Sequence, residues 1–213
     1  MKKLFGTALI LLPLLFLSCQ AEVTLTVQKD DSVSIVFEGG AGEAFTRMIS
    51  SAAGVNGAAG ADSQDSSDFL IDEASVSYEL AKAGFSDVKV LQKKGGAVRI
   101  SMTDKAQSSY LFTSKIVKAE KGRLSASISR KSLEDFYASA DEQTRMILDL
   151  FLAPVFNDED MSEDEYLEMV ASFYGDAAAK EVGESLVKIN LISKDGTKES
   201  LKYPLSQIFC GNF

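Results

Sequence analysis

Four times along this chain, two short runs of alternating apolar and polar residues flank a cluster of turn-forming residues. In the first, Val23, Leu25 and Val27 alternate with Thr24 and Thr26, Lys29-Asp30-Asp31 makes the turn, and Val33, Ile35 and Phe37 continue the pattern. In the second, residues 88–91 and 97–103 flank Lys93-Lys94-Gly95-Gly96, with Val98, Ile100 and Met102 on one face. In the third, residues 115–119 and 123–129 flank Glu120-Lys121-Gly122, with Leu124, Ala126 and Ile128 on one side. In the fourth, residues 186–193 and 198–203 flank Lys194-Asp195-Gly196-Thr197. A side-chain period of two lets each run bury one face only, and Asp-Gly between such runs is a strong hairpin signal. The chain is therefore expected to form four β-hairpins.

Helical spacing separates the hairpins. Phe45, Met48, Ile49 and Ala52 share one helix face. A second helix is expected after Asp72 as N-cap, with Ile71 and Val76 as a hydrophobic staple and Val76, Leu80 and Ala83 inward. Gly84 suits its left-handed C′ position, and Phe85 packs back on the last turn. Ser132 with Asp135 starts another segment, using Leu133, Phe136 and Tyr137. Asp141 caps the next, which carries Met146, Ile147, Leu150 and Phe151 and is expected to stop at Pro154. Ser162 with Glu165 is a capping box, followed by Leu167, Val170, Ala171 and Tyr174 at helical spacing. Residues 177–184 add a short helix. The expectation is an α+β fold, with antiparallel hairpins forming one or more sheets packed against about five helices, rather than a βαβ sheet. Residues 55–67 are Ala, Gly, Ser, Asp, Asn and Gln almost throughout and are expected to be a mobile loop.

The N-terminal segment has a different character. Lys2 and Lys3 precede an apolar run over residues 4–17, interrupted only by Gly6, Thr7 and Pro13, which ends in Phe16-Leu17-Ser18-Cys19. Fourteen helical residues reach roughly 21 Å, short of a bilayer core of about 30 Å. The segment reads as a cleaved secretory signal rather than a membrane span. It resembles a bacterial lipoprotein signal, in which the cysteine is diacylated and becomes the new N-terminus. Phe16 stands where that signal usually has leucine, a looser form similar to spirochaete lipoproteins. The resemblance implies lipidation (palmitate or a related acyl chain) at Cys19. It implies an envelope protein held at the inner or outer membrane, periplasmic or surface-exposed. The expected organisation is a signal peptide over residues 1–18, then a β-rich half with two helices over 19–131. An acidic helical segment with the last hairpin, residues 132–213, is expected to join the same globular unit.

Composition excludes several classes of chemistry. Histidine is absent, which removes histidine-based triads, histidine general bases and most zinc sites. Of two cysteines, a lipidated Cys19 leaves Cys210 alone; flanked by Ile208 and Phe209, it is expected to be buried as a small hydrophobe rather than to be reactive. Loss of Lys2 and Lys3 changes the formal charge from −9 to −11, which argues against nucleic acid as a partner. The charge is uneven. Residues 133–184 carry fifteen acids against Arg145 and Lys180, whereas residues 105–131 carry seven bases against Glu120. The basic segment reads as a solvated face matched to the acidic helices, with contact to anionic lipid headgroups as the alternative.

No motif builds a cofactor or metal site. Glu38-Gly39-Gly40-Ala41-Gly42 between strand and helix lacks the third glycine of a dinucleotide loop and any G-K-[ST], so it reads as a tight turn. An EF-hand window starting at Asp158 would use Asp160, Ser162 and Asp164, but Glu163 replaces the required glycine and Met169 the bidentate glutamate. The acids suit a helix start instead. Paired carboxylates for glycoside hydrolysis want an aromatic-walled cleft, and tryptophan is absent.

Residues 22–131 resemble the LppM-like domain of bacterial lipoproteins. The matching residues are Val23-Thr24-Leu25-Thr26-Val27 with its turn and returning strand, then a helix. Later come Ala83-Gly84-Phe85, leading into Val88-Lys89-Val90, and Ala97-Val98-Arg99-Ile100-Ser101. That resemblance implies a lipid-anchored envelope domain, with lipid among its possible ligands, and identifies no site residue. The expected function is a non-enzymatic binding or interaction module, anchored to a membrane through acylated Cys19 and engaging an envelope protein or lipid. A carrier of lipid or a small hydrophobic ligand is the first alternative and a carboxylate-dependent hydrolase the second. No catalytic residue, cofactor or metal is expected.

Overall fold

The computed structural model describes residues 20–40, 42–44, 47, 73–93, 97–139, 145, 148–149, 151–152, 155 and 161–211. The expected loop at 55–67, Asp72, Asp141 and the first part of the acidic window lie outside them. Eight strands are present: β1 Gln20–Val27, β2 Val33–Gly40, β3 Ser86–Gln92, β4 Ala97–Asp104, β5 Val117–Glu120, β6 Arg123–Ala126, β7 Leu186–Ile192 and β8 Lys198–Pro204. Six helices are described: α1 Glu73–Lys82, α2 Tyr110–Thr113, α3 Arg130–Ser139, α4 Glu163–Tyr174, α5 Asp176–Gly183 and α6 Leu205–Cys210. The fold is α+β, with all four hairpins where the alternating runs put them.

Three hairpins lie side by side in one sheet of order β3-β4-β2-β1-β7-β8; β5 and β6 form a separate two-stranded sheet. Within and between the first two hairpins every pairing is antiparallel. The junction of the first and last hairpins is different. β1 and β7 pair parallel, Gln20 opposite Leu186 and Thr26 opposite Ile192. The sheet is thus mixed, and β1 becomes a central strand. A parallel pair needs a long crossover, and here everything between β1 and β7 serves as one.

The inner face of the sheet is apolar across all three hairpins. Leu25, Ile35, Phe37, Ile100, Met102 and Leu191 are at most 2 % exposed. Each such side chain contributes roughly 1.5–3 kcal/mol by leaving water. Helical residues close the same core: Val76 and Leu80 from α1, Leu133 and Phe136 from α3, Tyr166 and Val170 from α4, and Val182 from α5. The helices therefore cover one face. The residues of alternate register on the other face are half-buried or exposed.

Local chemistry explains the ends of the elements. The Ser162 hydroxyl accepts from the Glu165 amide at 3.3 Å, and the Glu165 carboxylate accepts from the Ser162 amide at 2.9 Å, a complete capping box. α1 ends as expected: Gly84 has φ +95°, Phe85 N–H donates to the Leu80 carbonyl and Gly84 N–H to that of Ala81, the paired bonds of a Schellman motif. The β5–β6 turn has Lys121 at φ 53° and Gly122 at φ 78°, a twist suited to a two-residue hairpin loop. Gly122 is doubly required, since a Cβ there would meet the Lys194 Cβ at 3.0 Å.

Val155 is helical and buried, while Pro154, where the preceding helix is expected to stop, lies outside the described residues. One element goes beyond the expectation: α6 follows the last strand, whose alternating run is expected to end at Tyr203. Pro204 breaks the β8 ladder and Gly211, at φ 77°, ends the six-residue turn of helix.

Candidate functional site

The residue expected to carry lipid, Cys19, lies outside the described residues. Its neighbour Gln20 is the first residue of β1, so whatever is attached at Cys19 adjoins the middle of the sheet at one end.

At that end the open face carries a charged row across the strands. Successive register partners are Leu91, Arg99, Glu38, Glu22, Lys188 and Lys202. Alternation puts each on the face away from the core, and the two junctions between hairpins bring them into line. Glu22 and Glu38 are direct neighbours, a repulsive pairing that bases on both sides offset. Lys93 donates to the Glu38 carboxylate at 3.0 Å, and Arg99 donates to the same oxygen. Those two bonds hold the Glu38 carboxyl below its ordinary range, Lys93 contributing most. Lys188 donates to Glu22 at 3.2 Å and the Asn190 amide does so at 2.6 Å. Asn190 in turn accepts from the Ser200 hydroxyl at 2.9 Å. The next rows along the face are Lys89, Ser101, Val36, Thr24, Asn190 and Ser200, then Ser86, Thr103, Ser34, Thr26, Ile192 and Lys198. Chemically this is a hydroxyl-rich and basic surface, and among the described residues no nucleophile-base pair is hydrogen-bonded on it.

The basic segment 105–131 lies elsewhere. The β5–β6 hairpin docks on the β7–β8 turn, where Lys194 N–H donates to the Gly122 carbonyl at 2.8 Å and Leu124 N–H to the Ser193 hydroxyl at 3.2 Å. That turn follows Ile192, six residues along the ladder from the Gln20–Leu186 pair, or about 20 Å at the usual strand rise. Three of the seven bases of segment 105–131 pair with nearby acids: Arg123 with Asp195 at 3.9 Å, Lys131 with Asp135 at 3.1 Å and Lys105 with Asp87 at 3.9 Å. Exposed pairs of this kind contribute little to stability.

The other singled-out residues have structural roles. Glu163, Asp164 and Glu165 form the first turn of α4, and Met169 lies two turns into that helix, so the second half of the acidic window is helix rather than ion-binding loop. Among the described residues, no group of three or more acidic or thiol side chains is arranged to hold a metal ion. Glu38, Gly39 and Gly40 belong to β2, and a Cβ on Gly40 would lie 2.9 Å from the Ala97 Cα, so close packing of β2 on β4 explains the glycine. Cys210 is a free, buried thiol, 1 % exposed, donating to the Gln207 carbonyl at 3.6 Å. Tyr166 is fully buried and donates to the Phe151 carbonyl at 3.0 Å; burial above all pushes its phenol well above the usual range. Asp104, 1 % exposed, accepts from the amides of Ser108 and Ser109 and so holds the turn after β4.

Sequence reasoning located the basic segment and missed the charged row. The outward direction of Arg99 and Lys188 is readable from alternation, but their alignment depends on which hairpins become neighbours. Comparison with protein-family models found no match, and comparisons with curated proteins and with solved structures found none either. Among the described residues, no helix is long and apolar enough to cross a membrane.

Proposed function

We propose that this chain is a lipoprotein of a bacterial cell envelope, a non-enzymatic binding or interaction module tethered by acyl chains on Cys19. The observation that carries this reading is Ser18-Cys19 at the end of an apolar run behind Lys2 and Lys3. Each methylene buried in the bilayer contributes about 0.8 kcal/mol, so two or more chains hold a protein there almost permanently. The absence of histidine and the placement of acids on helix starts and in ion pairs favour binding over catalysis. The resemblance of residues 22–131 to the LppM-like domain agrees with the same reading. With β1 starting at Gln20, the tether leaves almost no spacer, and the module works at the membrane surface rather than at a distance from it.

The test is incorporation of a labelled fatty acid. Label is expected on the wild-type chain, and Cys19→Ser is expected to abolish it and release the protein to the soluble fraction. Undiminished labelling of Cys19→Ser would refute the assignment.

A further inference from the structure

We infer that the open face of the six-stranded sheet lies on anionic phospholipid headgroups of the membrane that holds the Cys19 anchor, an inference that rests on the lipoprotein reading above. Lys89, Arg99, Lys188, Lys198 and Lys202 stand at register positions of this face, and Lys93 reaches onto it through Glu38. The acids at such positions are Glu22 and Glu38. The face is therefore strongly positive in a chain whose formal charge is −9. Glu22 and Glu38 are already engaged by bases, while Lys89, Lys198 and Lys202 are exposed and have no ion pair among the described residues.

A second observation points to a membrane rather than to a soluble anion. Leu91 and Leu186 are 56 % and 40 % exposed, although both are large and apolar. Both stand on this face at the Cys19 end, Leu91 in the charged row and Leu186 opposite Gln20. Bases with long aliphatic stems beside exposed leucines suit a headgroup boundary, where charge meets phosphate and the apolar groups reach toward the acyl region. The anchor position supplies the third argument. Acyl chains on Cys19 would enter the bilayer beside the central strand, leaving too little spacer to lift the sheet away. The opposite face is covered by helices that include the acidic α4, which anionic headgroups repel.

The test uses the full acylated protein in vesicles of phosphatidylcholine, alone or with about 30 mol% phosphatidylglycerol. A water-soluble amine reagent is applied and the rate of modification is read lysine by lysine by mass spectrometry. Lys89, Lys198 and Lys202 are expected to react at least about three-fold more slowly in the anionic vesicles, and the difference is expected to vanish near 1 M salt, where screening is nearly complete. Lys82, Lys131 and Lys180 on the helical layer serve as controls and are expected to react equally in both. In a folded K89E/K198E/K202E variant, Lys93 and Lys188 are expected to show no lipid dependence. Equal rates on the open face in the two vesicles, or slowing confined to the helical layer, would overturn the inference. The mass of the N-terminal peptide from the same sample reports on the anchor separately. If Cys19 proves unmodified, the anchor reading fails, and the face is judged by flotation: salt-sensitive flotation with the anionic vesicles alone supports it, and failure to float refutes it.

Discussion

Phe209→Ala tests how the acidic helical segment is fastened to the sheet. Phe209 is 0 % exposed, its ring stacks on Phe151 with centroids 5.1 Å apart and meets Tyr166 at 5.9 Å. Phe151 and Tyr166 are joined to each other by the hydroxyl bond to the Phe151 carbonyl. Three separate helical elements thus converge on one ring, and none can collapse into the space without dragging another. Truncation of a buried phenylalanine in such a site costs about 3–5 kcal/mol. At about 2–4 °C per kcal/mol for a domain of this size, the midpoint should fall by roughly 6–20 °C. Tryptophan is absent, so unfolding is best followed by far-ultraviolet circular dichroism, with wild type and variant in the same detergent. A double-mutant cycle with Phe151→Ala should return a coupling of about 0.5–1.5 kcal/mol for the stacked pair. A loss below about 1 kcal/mol, or no coupling, would refute the argument that Phe209 holds these helical elements together.

Three further outcomes are expected. Ser162→Ala removes half of the capping box and should lower stability by about 1 kcal/mol, read as a shift of the urea midpoint at unchanged slope; an unshifted midpoint would count against the cap. Glu38 has its folded-state carboxyl held below the ordinary range by Lys93 and then Arg99. Its contribution is therefore fully present above that range and is lost as pH falls through the depressed value. Wild type should exceed Glu38→Gln in stability by a constant margin at neutral pH, and the margin should shrink in acid; a pH-independent difference would contradict this. Cys210 should react slowly with a thiol reagent in the native protein and rapidly in denaturant, and Cys210→Ala should cost on the order of 1 kcal/mol. Fast native labelling would place the thiol at the surface.

The elements readable in advance are those whose information is local. Hairpin turns declare themselves because Lys121-Gly122 and Asp195-Gly196 put glycine where φ must be positive. α4 declares its start because Ser162 and Glu165 are three residues apart and satisfy each other's amides. α1 declares its end because Gly84 accepts a backbone twist that other residues resist. In each case the physics is contained within a few consecutive residues.

What the amino-acid sequence alone determined, then, is the set of parts: four hairpins, the capped helices, an apolar face on each, and a signal-like segment ending at Cys19. Only the tertiary structure decided how they meet. It set β1 parallel to β7, since either free edge of a hairpin can accept a neighbour and alternation does not choose between them. It carried the basic β5–β6 hairpin to the end of the sheet away from Gln20 and folded residues 205–210 into α6, where burial of Ile208, Phe209 and Cys210 outweighs the weak propensity of so short a helix. It also assembled the row from Arg99 to Lys202. Those side chains come from all three hairpins of the main sheet, and residues so distant in the chain become one surface only through register, which is settled by the core on the other side of the same strands.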